Sequence, residues 1–288
     1  MKRMLEVEGN TFKINSSSAE ILHTCRKKAY YALERGLRPK EESEATSFGT
    51  AIHKALEAFY SSDFSGGERL ITEQELHEAF ISAAQPIMHV PAGEKRSVEN
   101  GKKILTKYLE TYSNDPWQTV RDSNGKPMVE LKFELPMQED IVLHGQIDCL
   151  LQNRESGEIV VCDHKTASTL GVDFFNRIKP NLQFSVYAWA ARQLGFPVSK
   201  VMVNGIQVAK TKTEFVRVFT NRDAEDDLEM RDSITDAIRL YTNAKKTNVW
   251  AINSASCSHY GGCSYRDICS LSTAYRETAI EQLYGNRT

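Results

Sequence analysis

No apolar run in the chain approaches the roughly 20 residues that a helix needs to span a bilayer, so a helical membrane protein is excluded. The N-terminal stretch MKRMLEVEGN has a basic start but no apolar region after it, so no secretory signal is read and a cytoplasmic protein is expected. There is no G-x-x-x-x-G-K-[ST] loop, hence no nucleotide-driven motor, and no internal repeat or low-complexity linker. Neither sign of charge dominates. A net charge of −2 neither marks nor excludes a nucleic-acid partner, because a local basic channel beside an acidic metal site would balance in this way. Six cysteines are present, but none are paired at the C-x2–4-C spacing usual for zinc. In a reducing compartment they are not expected to form disulfides. Metal ligation or simple burial remain.

The 288 residues are 41% hydrophobic and 26% charged, which suits one soluble domain with a sizeable core. Lys2 to Ile14 alternates weakly, as a short strand or an arm. Ser17 with Glu20 three residues on fits a capping box, opening a helix through Ile21, Leu22, Cys25, Tyr30 and Leu33 to Gly36. In SFGTAIHKALEAFYSS, residues Ala51, Ala55, Leu56, Phe59 and Tyr60 form a helical stripe. Thr72 to Met88 and Glu94 to Tyr112 read as further helices. Strands follow at Met128 to Pro136, Lys200 to Ala209 and Glu214 to Thr220, with helices at Pro180 to Leu194 and Asp223 to Lys246. The last of these starts acidic and ends basic, as the helix dipole prefers. The order implies a mixed α/β fold: a helical part over 15–115, a core over 116–246 and a cysteine-bearing tail over 247–288, all in one domain.

The centre of this pattern is LHGQIDCLLQNRESGEIVVCDHKT. Two apolar runs, Ile141 to Leu151 and Glu158 to Thr166, flank a turn from Asn153 to Gly157, the signature of a hairpin. Asp148 lies in the first strand, and the second ends in Asp163-His164-Lys165. Carboxylates in apolar strands are costly unless paired or metal-bound. Asp148 and Asp163, with the backbone carbonyl of His164, offer the oxygen ligands that Mg²⁺ takes. Lys165 shares a strand face with Asp163 and could orient a water or neutralise developing charge.

Each of these features has a plainer explanation. Asp-x-Lys alone is more often a surface ion pair, and a single helical histidine such as His53 more often packs or caps. As an added ligand, His53 would suit Mn²⁺ better than Mg²⁺. Gln183 and Tyr187, four residues apart, share a helical face; alone, Tyr187 is more often a core residue with its hydroxyl at the surface. Cys149 and Cys162, inside the apolar runs, read as buried thiols. Cys257, Cys263 and Cys269 form C-x5-C-x5-C, and Cys25, followed by Arg26, Lys27 and Lys28, is the one remaining cysteine outside the strands. Four such thiolates suit a 4Fe–4S cluster or zinc, with His259 as a competing ligand.

Taken together and in order, Cys25, GTAIH ending at His53, GQID ending at Asp148, VVCDHK with Asp163 and Lys165, QFSVY with Gln183 and Tyr187, and the three-cysteine tail resemble the PD-(D/E)XK nuclease superfamily, in its RecB/AddB-type branch with an iron–sulfur cluster. The resemblance covers about residues 15 to 270. It implies a restriction-endonuclease-like mixed sheet flanked by helices. It also implies a Mg²⁺- or Mn²⁺-dependent deoxyribonuclease, an exonuclease before an endonuclease, working on single-stranded DNA or duplex ends in replication, recombination or repair, either alone or with a helicase or recombination protein as partner. His53, Asp148 and Asp163 would be metal ligands and Lys165 the catalytic lysine. Gln183 and Tyr187 would form the accessory motif, and Cys25, Cys257, Cys263 and Cys269 would hold a structural 4Fe–4S cluster. Two departures stand out: Asp163 where many relatives have Glu, and C-x5-C-x5-C where relatives often carry C-x2-C-x5-C. Glu130, on the preceding strand, ranks below these residues. The alternatives are a nuclease fold that has lost its chemistry and serves as a DNA-binding subunit, and an unrelated zinc protein.

Overall fold

The chain divides into two compact units, one of residues 1–41, 133–145 and 224–288 and the other of 42–132 and 146–223. Residues 4–258 and 262–286 are described in this computed structural model. The first unit opens with an antiparallel hairpin of β1 (Leu5–Glu8) and β2 (Thr11–Ile14), where the sequence pattern left a strand or an arm open. The following helix differs from the expected single rod. It starts one residue after Asn15, whose side chain accepts from the Ser18 backbone N–H, so the predicted Ser17–Glu20 capping box does not form. It then breaks at Cys25 into α1 (Ser16–Thr24) and α2 (Arg26–Ala29), which runs into a π-helical turn over Tyr30–Glu34 and then β3 (Leu37–Pro39).

The second unit begins with α3 (Glu44–Ser61), capped by Ser43. A two-stranded ribbon of β4 (Phe64–Ser65) and β5 (Glu68–Arg69) follows. A capping box does occur at α4 (Glu73–Ala83), between Thr72 and Glu75. This helix stops short of Met88 because Pro86 has no N–H to donate and its ring would meet the carbonyl four residues back. The chain continues there as a 3₁₀ turn over Gln85–Ile87. Similarly, α5 (Val98–Tyr112) begins after Ser97 rather than at Glu94: the Ser97 side chain accepts from Asn100 N–H, and the residues before it form a turn.

The sheet of this unit combines β6 (Trp117–Thr119), β9 (Ile159–Ala167), β10 (Lys200–Gln207), β11 (Phe215–Asn221) and parts of β7 (Val129–Gln138) and β8 (Ile141–Asn153). β8 and β9 are antiparallel, with Cys149 opposite Cys162. β9 and β10 are parallel, with His164 beside Asn204, and β10 and β11 are antiparallel. A parallel pair needs a crossover. The short α6 (Val172–Phe175) and α7 (Leu182–Gln193), capped by Asn181, supply it. The sheet is therefore mixed and flanked by helices, as expected. Phe48, Ile52, Phe59, Leu76, Phe80 and Ile104 from α3, α4 and α5 are fully or almost fully buried with Leu151, Val160 and Met202 of the sheet. Each such side chain contributes about 1.5–3 kcal/mol by leaving water.

The chain returns to the first unit at α8 (Ala224–Thr247), whose first turn carries Glu225, Asp226 and Asp227 and whose last carries Lys245 and Lys246. A 3₁₀ turn over Ser254–Ser258, α9 (Arg266–Ser270), α10 (Arg276–Leu283) and β12 (Tyr284–Asn286) complete it. β2 lies parallel to residues 141–143 of β8, and β12 is antiparallel to β3. The tail explains the break in the first helix. Cys25 is extended (φ −163°, ψ 116°). The groups this frees are met by the tail: Asn253 Nδ2 donates to Thr24 O at 2.9 Å and Lys27 N to Ala251 O at 3.0 Å. Among the described residues no helix is long and apolar enough to cross a membrane.

Close packing of α4 on α5 yields a direct test. A Cβ on Gly101 would lie 2.2 Å from Phe80 Cζ. Helix propensity favours alanine over glycine by about 1 kcal/mol, whereas overpacking costs about 1–3 kcal/mol. Gly101→Ala is expected to lower stability in urea unfolding, with part of the loss recovered in Gly101→Ala/Phe80→Leu. A Gly101→Ala variant as stable as wild type would contradict this packing.

Candidate active site

All the sequence-predicted residues of the hairpin, the α3 histidine and the accessory pair fall within the second unit. α3 approaches the end of β9 at Gly49, where a Cβ would stand 3.3 Å from Thr166 Oγ1. His53 is one turn further along. Its Nδ1 lies 3.5 Å from Asp148 Oδ2. Burial lowers the imidazole's pKa, against the pull of Asp148, which leaves a lone pair free for a cation. The backbone of His164 is within hydrogen-bonding reach of the same ring.

Asp148 is fixed from the other side: its Oδ2 accepts the His164 backbone N–H at 2.8 Å. Glu130 completes a trio. The ligand atoms of His53, Glu130 and Asp148 all lie within 4.8 Å of one another. Glu130 has φ +51°, a left-handed conformation rare for a side-chain-bearing residue and costing of order 1–3 kcal/mol. Gln146 Nε2 donates to its Oε2. Burial first, then Asp148 and Glu57, push the Glu130 carboxyl up to about 7. The sequence reading ranked Glu130 below the others, because an alternating strand places its side chains by parity and nothing in the residue types marks the backbone turn that aims this one.

Asp163 stands apart from the trio. It is 1% exposed and ion-paired, with Lys165 Nζ 2.8 Å from Oδ2. Burial raises its carboxyl to about 6, Lys165 opposing and Asp148 adding to the shift. Lys165 Nζ also donates to Asp163 Oδ1 at 3.1 Å. Lys165 donates to Gln183 Oε1 at 3.0 Å, and Gln183 Nε2 donates to the Tyr187 hydroxyl at 3.0 Å. The i, i+4 spacing on α7 thus faces the strand end. Burial and the nearby Asp163 keep the Tyr187 phenol protonated.

A cleft of about 400 Å³ opens over this region, lined among others by Thr46, Thr50, His53, Glu130, Asp148 and Thr166. Two carboxylates and an imidazole within reach of one point fit a divalent cation of the Mg²⁺ or Mn²⁺ class. The sequence model of the PD-(D/E)XK nuclease superfamily matches residues 13–270. The chain belongs to the PD-(D/E)XK nuclease superfamily. Many solved structures also match this nuclease. A candidate exonuclease from Eubacterium rectale is similar in fold at 13% identity and a TM-score of 0.52, covering 85% of each chain. The structure of SSO0001, at 14% identity, covers 89% of this chain and 98% of its own with a TM-score of 0.34. No curated protein sequence matches the chain.

The other predicted set lies in the first unit. Cys25 is buried, and Cys257, Cys263 and Cys269 are half-buried. Asn253 N–H points at Cys25 Sγ at 3.4 Å. Burial raises the Cys269 thiol, with Cys263 and Cys25 adding to the shift and Arg276 opposing it, so these groups share one neighbourhood. The four are not among the groups whose ligand atoms all lie within 4.8 Å, whereas a tetrahedral zinc site closes its sulfurs to about 3.8 Å. His259 lies outside the described residues.

The raised Glu130 carboxyl sets a pH dependence. In metal-free folded protein Glu130 holds a proton between its unfolded value of 4.5 and about 7. Folding therefore loses stability as pH rises through this window, and a Gln at this position avoids that loss. Metal-free Glu130→Gln should gain about 1–2 kcal/mol over wild type at pH 8, after discounting for solvent screening of a half-buried carboxyl, and little at pH 4.5. Thermal unfolding at the two pH values measures this; an equal difference at both would contradict it.

Proposed function

We propose that the protein is a divalent-metal-dependent DNA nuclease acting on DNA ends. His53, Glu130, Asp148 and Asp163 would hold Mg²⁺ or Mn²⁺, with the His164 carbonyl as a further oxygen donor. The bound ion would supply an acidified water and a positive charge facing the scissile phosphate. The chain's own groups do the rest. Asp163 and Gln183 hold the Lys165 ammonium from two sides, and Tyr187 holds Gln183. So held, Lys165 would neutralise the charge that builds on the non-bridging oxygens as water adds to phosphorus and one bridging P–O bond breaks. The observation that carries this reading is that the His53–Glu130–Asp148 trio lines one cleft and is tied to the Asp163–Lys165 pair through the intervening His164, whose backbone N–H donates to Asp148.

The finer assignment is a RecB/AddB-type nuclease of one domain with a structural 4Fe–4S cluster on Cys25, Cys257, Cys263 and Cys269, serving replication, recombination or repair with a helicase or recombination partner. Support comes from the Asn253 N–H aimed at Cys25 Sγ, since hydrogen bonds to sulfur stabilise cluster thiolates. The lack of a C-x2–4-C pair favours a cluster over zinc, while C-x5-C-x5-C departs from the C-x2-C-x5-C of many relatives.

Lys165→Ala and Asp163→Ala should each cut end-labelled single- and double-stranded DNA at least 100-fold more slowly than wild type with Mg²⁺ or Mn²⁺, while remaining folded. Cleavage at the wild-type rate would overturn the site. Absence of metal-stimulated cleavage by the wild-type protein would favour the DNA-binding alternative. Anaerobically purified protein should be brown with iron–sulfur charge-transfer absorbance, and Cys25→Ser should lose that colour together with thermal stability. A colourless protein holding stoichiometric zinc would remove the cluster from the account.

A further inference from the structure

His164 lies between Asp163 and Lys165, so strand alternation sends its imidazole to the opposite face of β9 from their side chains. There it is 3% exposed, in the interior of the second unit. Asn204 of β10, its register partner, has an Nδ2 2.9 Å from His164 Nδ1. Nε2 faces Cys149 Sγ at 3.8 Å, on the residue next to Asp148. Tyr60 stacks on the imidazole at 5.1 Å and 20°.

The clamp is itself anchored. Asn204 Nδ2 also donates to the Tyr108 hydroxyl at 2.8 Å, and the Tyr108 and Tyr60 hydroxyls are 2.6 Å apart. Arg217 donates from Nη2 to the Tyr60 hydroxyl at 3.1 Å, and from Nη1 and Nη2 to Asp115 Oδ1 and Oδ2 at 2.8 and 2.5 Å. Asn204 is fully buried and Asp115 nearly so. A polar chain of this length is expensive in a core that apolar side chains could fill. The same residue that it immobilises donates its backbone N–H to Asp148 Oδ2 at 2.8 Å. His164 cannot shift along or rock about the strand without losing the Asn204 bond and the Tyr60 stack, so its N–H is a fixed point for the carboxylate.

We infer that His164, clamped by Asn204 and Tyr60, is a positioning residue that presets Asp148 for cation binding through its peptide N–H. This rests on the metal-site reading above, and the test separates the two. The probe is Mn²⁺ alone, titrated into metal-free protein by calorimetry or electron paramagnetic resonance. His164→Leu and Asn204→Leu should bind Mn²⁺ about 10–100-fold more weakly, the usual effect of removing an outer-shell partner. For Asn204→Leu, cleavage should then half-saturate at correspondingly higher Mn²⁺, with the rate at saturating Mn²⁺ within a few-fold of wild type. Folded variants that bind Mn²⁺ as wild type does, or that lose the saturating rate at unchanged Mn²⁺ affinity, would overturn the inference. Should His164→Leu fail to fold by circular dichroism, Asn204→Ala keeps the imidazole and carries the same test with the same readings. Wild-type binding by Asp148→Ala would overturn the metal-site reading and the inference with it. Weakened binding by Asp148→Ala alongside wild-type binding by the clamp variants would overturn the inference alone.

Discussion

Asp163 carries a carboxylate into a strand end where it is 1% exposed, and the candidate site is arranged around that cost. An isolated buried charge is severely destabilising, so such a group must lose its charge or find partners. The structure holds both tendencies in balance. Burial pushes the carboxyl up to about 6, and Lys165 pulls it down from 2.8 Å. Lys165 in turn is held by Gln183, and Gln183 by Tyr187, so one buried carboxylate organises a chain of side chains reaching onto α7. A divalent cation in the adjoining trio would complete this compensation. The same carboxylate that makes the apoprotein strained thereby makes a cation welcome.

The two faces of β9 divide the work. On one, Asp163 and Lys165 pair and meet Gln183 of α7. On the other, His164 enters the core and ties into Asn204, Tyr60 and Tyr108. Its backbone joins the two, through the N–H that holds Asp148. In the other unit a comparable economy governs Cys25. The helix opens there, and Asn253 answers both the thiol and the freed Thr24 carbonyl. Tyr265, between Cys263 and Cys269 in the sequence, donates to Leu37 O at 2.7 Å and stacks on Tyr31, which fixes the cysteine tail to the start of the chain.

Much of this was legible in the residues because periodicity and motif order survive folding. The β8–β9 hairpin, the α7 pair Gln183 and Tyr187, and the dipole-matched α8 stand close to where their patterns place them. What escaped the reading depends on contacts remote in sequence or on backbone dihedrals. Cys25 breaks its helix because residues 251 to 253 satisfy the opened groups, and nothing within a turn of Cys25 announces it. Glu130 joins His53 and Asp148 with its backbone at φ +51°, a conformation that composition does not encode. Asn15 wins the cap from Ser17 because its side chain serves both the Ser18 N–H and hydroxyl, a competition between two good caps that propensity cannot rank.

The central claim is that one cation sits among His53, Glu130 and Asp148, next to the Asp163–Lys165 pair. Anomalous X-ray scattering from Mn²⁺-soaked crystals tests it most directly. The account predicts a single strong peak in the cleft, within about 2.0–2.4 Å of an imidazole nitrogen of His53 and a carboxylate oxygen of Asp148. A peak elsewhere, or none in this cleft at saturating Mn²⁺, would contradict it.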